Sequence, residues 1–249
     1  MDRKNPLITS RPFRSPHHSA SSVGIIGGGS NPKPGEITLA HRGVLFLDEM
    51  VEFPRQTLEV LRQPIEDNVV TISRAQVSIQ YPANFILLGA MNPCPCGFLG
   101  DSKKQCNCTE AQINRYRARL SGPLLDRIDL VINVPRLTSE ELNNTKIESE
   151  PSSAIRNRVS NARKIQAKRY AQDGILANSE LTADLLKKYC KLDEATSQIM
   201  KMAAQKYQLS GRRYNRVLKI ARTIADLDSS PEIKSVHLTQ ALQYRSENL

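Results

Sequence analysis

Residues 43–50 read Gly-Val-Leu-Phe-Leu-Asp-Glu-Met, four apolar residues in a row followed at once by two acids. An unbroken apolar run of that length is the pattern of a strand buried on both faces, and such strands belong to parallel sheets covered by helices. The acids then mark its C-terminal end, the edge of a parallel sheet where polar chemistry collects. Residues 84–92, NFILLGAMN, repeat the pattern, and residues 128–135, IDLVINVP, read as a third strand. Between them, Leu58, Leu61 and Ile65 recur at helical spacing over residues 53–66. Residues 69–82 alternate on both sides of Ser73-Arg74-Ala75, which predicts a hairpin with Arg74 near its tip. Thr109 is placed to cap a basic helix over residues 109–121. Residues 1–34, rich in Ser, Pro and Gly with no apolar period, read as loop.

Beyond Pro135 the texture changes to a polar stretch and then helical segments only. The expected architecture is therefore α/β: a parallel-sheet domain over residues 1–136, followed by a small all-helical domain over residues 137–249. Charge divides the chain in the same way. Residues 1–150 hold 17 Lys and Arg against 16 Asp and Glu, while residues 151–249 hold 18 against 9. A basic segment attracts polyanions by releasing their counterions, so nucleic acid leads the expected partners, with Arg74, Arg156, Arg158, Arg163, Lys164, Lys168 and Arg169 as candidate contacts. A solvated helical face is the alternative reading of the same charges. No stretch approaches the roughly 20 apolar residues that a membrane span requires, and residues 1–14 lack the apolar core of a signal peptide. The expectation is a cytoplasmic protein.

In a reducing compartment, four cysteines in two C-x-C pairs, Cys94/Cys96 and Cys106/Cys108, can close a tetrahedral set around Zn²⁺, with free thiols or disulfides as the alternatives. A metal there would brace a loop rather than carry out chemistry. Cys190, alone in a helical pattern, reads as a buried small hydrophobe. His17 and His18, adjacent in a loop, read as neither ligand nor catalyst. The acids after the first strand fit the Walker B pattern. Asp48 would position Mg²⁺, and Glu49 would polarise the water that attacks a γ-phosphate. Asn92 at the end of the next strand would orient that water. Arg127, between Asp126 and Asp129, suits a finger that stabilises a neighbouring subunit's transition state.

Taken together, GEITLAHRGVLFLDE, GAMNPCPCG, the paired C-x-C, SGPLLDRID and SGRRYNRVLKIARTIADL resemble the magnesium-chelatase-related AAA+ ATPases of the ComM/YifB type over nearly the whole chain. The resemblance implies a P-loop-type core with a helical lid, using ATP and Mg²⁺. It further implies a ring, hexameric in the family, that moves on DNA during branch migration in natural transformation. Arg127 then matches the arginine finger. Arg212 matches the sensor 2 arginine that binds ATP phosphate, with Arg213 and Arg216 as nearby substitutes. The family also carries an N-terminal domain and a Walker A loop, G-x-x-x-x-G-K-[ST], which this sequence does not contain. Residues 27–35 imitate it without the Gly-Lys-Ser/Thr, and Pro32 and Pro34 oppose the helix that would follow. The expectation is a cut chain, a shortened reading frame or a half completed by another chain, hydrolysing ATP poorly or not at all by itself. A chelatase motor for metal insertion is the nearest alternative, although the cysteine pairs and basic tail favour DNA. A non-catalytic zinc-containing nucleic-acid-binding module is the alternative of a different class.

Overall fold

Val44–Leu47 is the middle strand of a three-stranded parallel sheet, as its apolar run requires. The computed structural model describes residues 10–29, 32–73, 78–101, 103–137 and 150–244. They fall into two compact units that divide between Ile128 and Asp129. In chain order the first unit begins with β1 (Phe13–Arg14), α1 (Ser22–Ile26), β2 (Gly27–Gly28), β3 (Lys33–Pro34), α2 (Glu36–Leu39) and β4 (Val44–Leu47). It continues with α3 (Arg55–Glu59), α4 (Arg62–Asp67), the hairpin β5 (Val69–Ser73) and β6 (Ser78–Pro82), β7 (Ile86–Gly89), α5 (Glu110–Arg117) and α6 (Gly122–Leu125).

The main sheet runs β1-β4-β7, all parallel, with Phe13 opposite Val44 and Leu47 opposite Gly89. Leu45 and Leu47 point into a core with Ile25, Ile37, Val51, Phe53, Leu58, Leu61 and Leu124. Each such side chain contributes about 1.5–3 kcal/mol by leaving water. Gly43 is required where β1 closes on β4. A Cβ there would lie 1.9 Å from the Pro12 carbonyl oxygen, the acceptor of the Val44 N–H. The hairpin forms as expected; its tip, with Arg74, lies outside the described residues. Thr109 caps α5 through a reciprocal pair of hydrogen bonds with Gln112.

Three expectations are corrected. The N-terminal stretch is not all loop: Phe13 and Arg14 join the sheet because pairing uses backbone groups and needs no apolar period. The second strand is not buried on both faces, since Ile86 and Leu88 are exposed while Leu87 packs inward. Residues 128–135 form no strand. Leu130, Ile132 and Val134 are exposed, and the Val131 N–H binds the Tyr244 carbonyl of the helical unit instead of a strand neighbour.

The second unit is helical: α7 (Ser152–Arg169), α8 (Ala183–Tyr189), α9 (Glu194–Lys206), α10 (Gly211–Leu227) and α11 (Ser235–Gln243). Thr182, Asp193 and Ser210 cap α8, α9 and α10 with side-chain oxygens that accept orphan N–H groups. Tyr170, Leu186, Met200, Val217, Ala221, Ala225 and Leu238 form the core, and Cys190 is buried against it as expected. Through this core runs an ion cluster. The Asp226 carboxylate accepts from Arg222 Nε (3.1 Å), Arg169 Nη1 (2.9 Å), Arg169 Nη2 and Asn178 Nδ2 (2.9 Å). No described helix is long and apolar enough to cross a membrane.

Candidate functional site

After Leu47 the chain turns sharply. The Asp48 carboxylate accepts the Glu49 N–H at 2.9 Å, and Glu49 takes a left-handed conformation with φ 48° and ψ 45°. For a non-glycine residue that conformation costs about 1–2 kcal/mol, and it persists only where neighbours impose it. Here they do. The Met50 N–H donates to the Ala90 carbonyl at 2.8 Å, fastening the turn to the end of β7, and the Glu52 N–H donates to the Glu49 carbonyl at 2.7 Å. Gly89 makes room for this fastening, since a Cβ there would lie 2.5 Å from the Met50 sulfur.

Asp48, Glu49 and Asn92 are exposed and leave the C-terminal ends of the adjacent parallel strands β4 and β7. Carboxylate and amide oxygens of this kind are hard ligands, the chemistry that suits Mg²⁺ and water. The same edge holds a residue that sequence reasoning set aside. His18 Nδ1 lies 3.3 Å from Glu49 Oε2. No local signal marks this pair, because 31 positions separate the two and the packing of β1 beside β4 brings their following turns together.

Arg127 belongs to the first unit but not to this edge. It follows α6, where its Nη1 donates to the Pro123 carbonyl at 2.7 Å and its Nε lies 3.1 Å from Glu66 Oε2. Glu66 on α4 balances it, while Asp129 pairs with Arg216 at 2.8 Å in the second unit. Arg212 lies in the first turn of α10, where it lines a groove with Arg216, Lys219, Ile220 and Ile224. Burial holds the Lys219 ammonium below its ordinary pKa, and its Nζ donates to the Ser179 carbonyl at 2.8 Å.

The four clustered cysteines converge. Cys94 Sγ is 3.4 Å from Cys96 Sγ and 3.7 Å from Cys106 Sγ, Cys96 and Cys106 are 3.6 Å apart, and all four sulfurs lie within 4.8 Å of one another. None is disulfide-bonded. Bonds of about 2.3 Å in a tetrahedron set sulfurs about 3.8 Å apart, so this set fits a four-coordinate soft metal ion. The Phe98 and then the Asn107 backbone groups stabilise the Cys96 thiolate and draw its pKa down to about 6. For Cys106 the Cys108 backbone favours the thiolate, but burial and the crowded sulfurs outweigh it and push the pKa up to about 12.

Along α7, Arg156, Arg163, Lys164 and Lys168 are exposed, while Arg158 is paired with Glu150 at 2.8 Å. Arg169 departs from the expected nucleic-acid face. It turns inward to Asp226, because a buried carboxylate competes for its guanidinium more strongly than solvent does.

The family model for the magnesium chelatase subunit ChlI matches residues 1–142, and that for the ChlI C-terminal region matches residues 149–245. The chain belongs to the magnesium chelatase ChlI family. Competence protein ComM of Haemophilus influenzae is 46% identical over 95% of this chain and 45% of its own length. YifB of Escherichia coli is 44% identical over 95% of this chain and 46% of its own. The chloroplastic magnesium-chelatase subunit ChlI of rice is 36% identical over 61 residues, 24% of this chain and 15% of its own. The chain spans about half the length of the ComM and YifB relatives. In this family setting, the parallel sheet and the helical unit are a partial AAA+ core and its lid.

Proposed function

We propose that this chain is the C-terminal part of an ATP-driven AAA+ motor that acts on DNA as a cytoplasmic ring, of the hexameric kind, in transformation and recombination. The observation that carries the reading is that Asp48 and Glu49 follow β4 while Asn92 follows its parallel neighbour β7, on the same sheet edge, where the Met50–Ala90 hydrogen bond fastens the two strand ends together. The similarity to a competence protein supports the DNA assignment over chelation, as does the exposed basic face of α7.

Asp48 is the residue to hold Mg²⁺, which when bound neutralises charge developing on the phosphates. Glu49 takes the proton of the attacking water as general base, and its exposure leaves it open to that water. Asn92 orients the same water through its amide. Arg127 serves a neighbouring subunit as a finger, exchanging Glu66 for the neighbour's phosphate, and Arg212 acts as the phosphate-binding arginine of the lid. The cysteine cluster binds one Zn²⁺ that braces residues 93–108 between β7 and α5, without touching a reacting atom. The phosphate cradle comes from outside this sequence, which has no Gly-Lys-Ser/Thr loop.

Subunit mixing in the full-length protein tests the reading. Glu49→Gln and Arg127→Ala should each silence ATP turnover, since a finger supplied in trans is worth roughly 10³ to 10⁵ in rate. Mixed rings should regain part of the activity wherever an intact Glu49 meets an intact Arg127. Full activity of either single variant refutes its role, and a dead mixture with proven subunit exchange refutes the trans assignment.

A further inference from the structure

The turns that follow β1 and β4 bring His18 beside Glu49. Arg14 pairs with Leu45 in the parallel β1-β4 ladder. β1 ends at Arg14 and β4 at Leu47, so His18 and Glu49 lie in the turns that follow two neighbouring parallel strands. The ladder brings the two segments side by side, and the turns carry the side chains to their contact at 3.3 Å.

The imidazole is also held independently of Glu49. It packs edge-on against the ring of Phe53, a core residue, with centroids 6.4 Å apart and planes at 80°. On its other side lies the His17 ring, 4.0 Å away. His17 is in turn fixed by Ser19, whose Oγ lies 2.9 Å from its Nδ1, and by the turn in which the Ala20 N–H donates to its carbonyl. A chain of fixed contacts thus runs from Ser19 through His17 to His18 and ends on the carboxylate at 3.3 Å. Glu49, by contrast, is more than half exposed, and its side chain has three torsions to spend in water.

We propose that His18 is the positioning residue of Glu49, holding its carboxylate in one orientation at the strand ends so that the base is ready when nucleotide and water arrive. This rests on Glu49 being the base of the proposed ATPase. A base displaced by about 1 Å loses on the order of 10²-fold in rate while leaving substrate affinity alone. In this role His18 exchanges no proton with the attacking water and acts through Glu49.

The test is steady-state ATP turnover of the full-length protein carrying His18→Ala, His18→Asn or Glu49→Gln, with thermal unfolding measured on each. The expected result for His18→Ala is a kcat lowered by roughly 10- to 100-fold, with KM for ATP and the melting temperature unchanged. His18→Asn, whose amide can reach the carboxylate from the same side as Nδ1, should recover most of that loss. Turnover of His18→Ala within twofold of the parent overturns the proposal, as does a loss that His18→Asn does not recover or that tracks a fall in melting temperature. Glu49→Gln separates the two failures: if it stays active, the ATPase reading itself is wrong, and if it is dead while His18→Ala is not, only the positioning role is wrong.

Discussion

Replacing Asp226 with alanine should be among the most damaging single changes available in the helical unit. Its side chain is fully buried and is the shared acceptor of two arginines and Asn178. Without it, Arg222, only 2% exposed, keeps its bonds to the carbonyls of Ser230 (2.6 Å) and Pro231 (2.9 Å) but loses its counter-charge. Burial already draws Arg222 below its ordinary pKa, with Asp226 opposing that pull. For Arg169, burial is the largest single influence and opposes the charge, but the hydrogen bonds and charges of Asp226 and Tyr170 together outweigh it and raise the pKa. Breaking a buried pair by removing one partner costs about 3–5 kcal/mol. At roughly 3–6 °C per kcal/mol for a unit of this size, the melting temperature of the helical unit should fall by about 10–30 °C. Far-UV circular dichroism on heating, with a urea titration beside it, measures this directly. The charge argument makes a second, sharper claim. Arg222→Met combined with Asp226→Ala should be less destabilised than the sum of the two single variants, because the double variant strands one charge fewer. An Asp226→Ala protein that melts within about 3 °C of the parent, or a double variant at the full sum of the singles, would refute the reasoning.

Gly43→Ala should lower stability by at least about 1–3 kcal/mol, because the new methyl meets the Pro12 carbonyl rather than a yielding side chain; the urea midpoint checks it. Protein prepared without chelator should carry about one zinc per chain, lost in Cys94→Ser/Cys106→Ser together with thermal stability, and elemental analysis decides. Reversing charge at both Arg156 and Lys164, exposed on α7, should weaken DNA binding and reduce the slope of log affinity against log salt by about 1.8 if each neutralises one phosphate. An unchanged slope in a fluorescence titration would leave that face a solvated surface.

Much of the chain was legible from local signals. The apolar run before Asp48, the alternating hairpin, the Thr109 cap with Gln112 three residues on, and the shift to helices all act within a few residues of where they are written. Such features report burial and capping, which a segment carries in its own side chains. The paired cysteines are legible for the same reason, since their spacing alone brings sulfurs within reach of one ion. Partners chosen over long separations were not. Phe13 and Arg14 became a strand and residues 128–135 did not, according to where their backbone groups found partners, β4 for the first and the Tyr244 carbonyl for Val131, and such groups are common to every residue. Arg127 found Glu66, Arg169 found Asp226, and His18 found Glu49, each among several acids that the linear order offered equally. The residue types and their spacing determined the strands, caps and family to which this chain belongs; tertiary packing decided which charged group faces which, because that depends on strand pairing and burial rather than on distance along the chain.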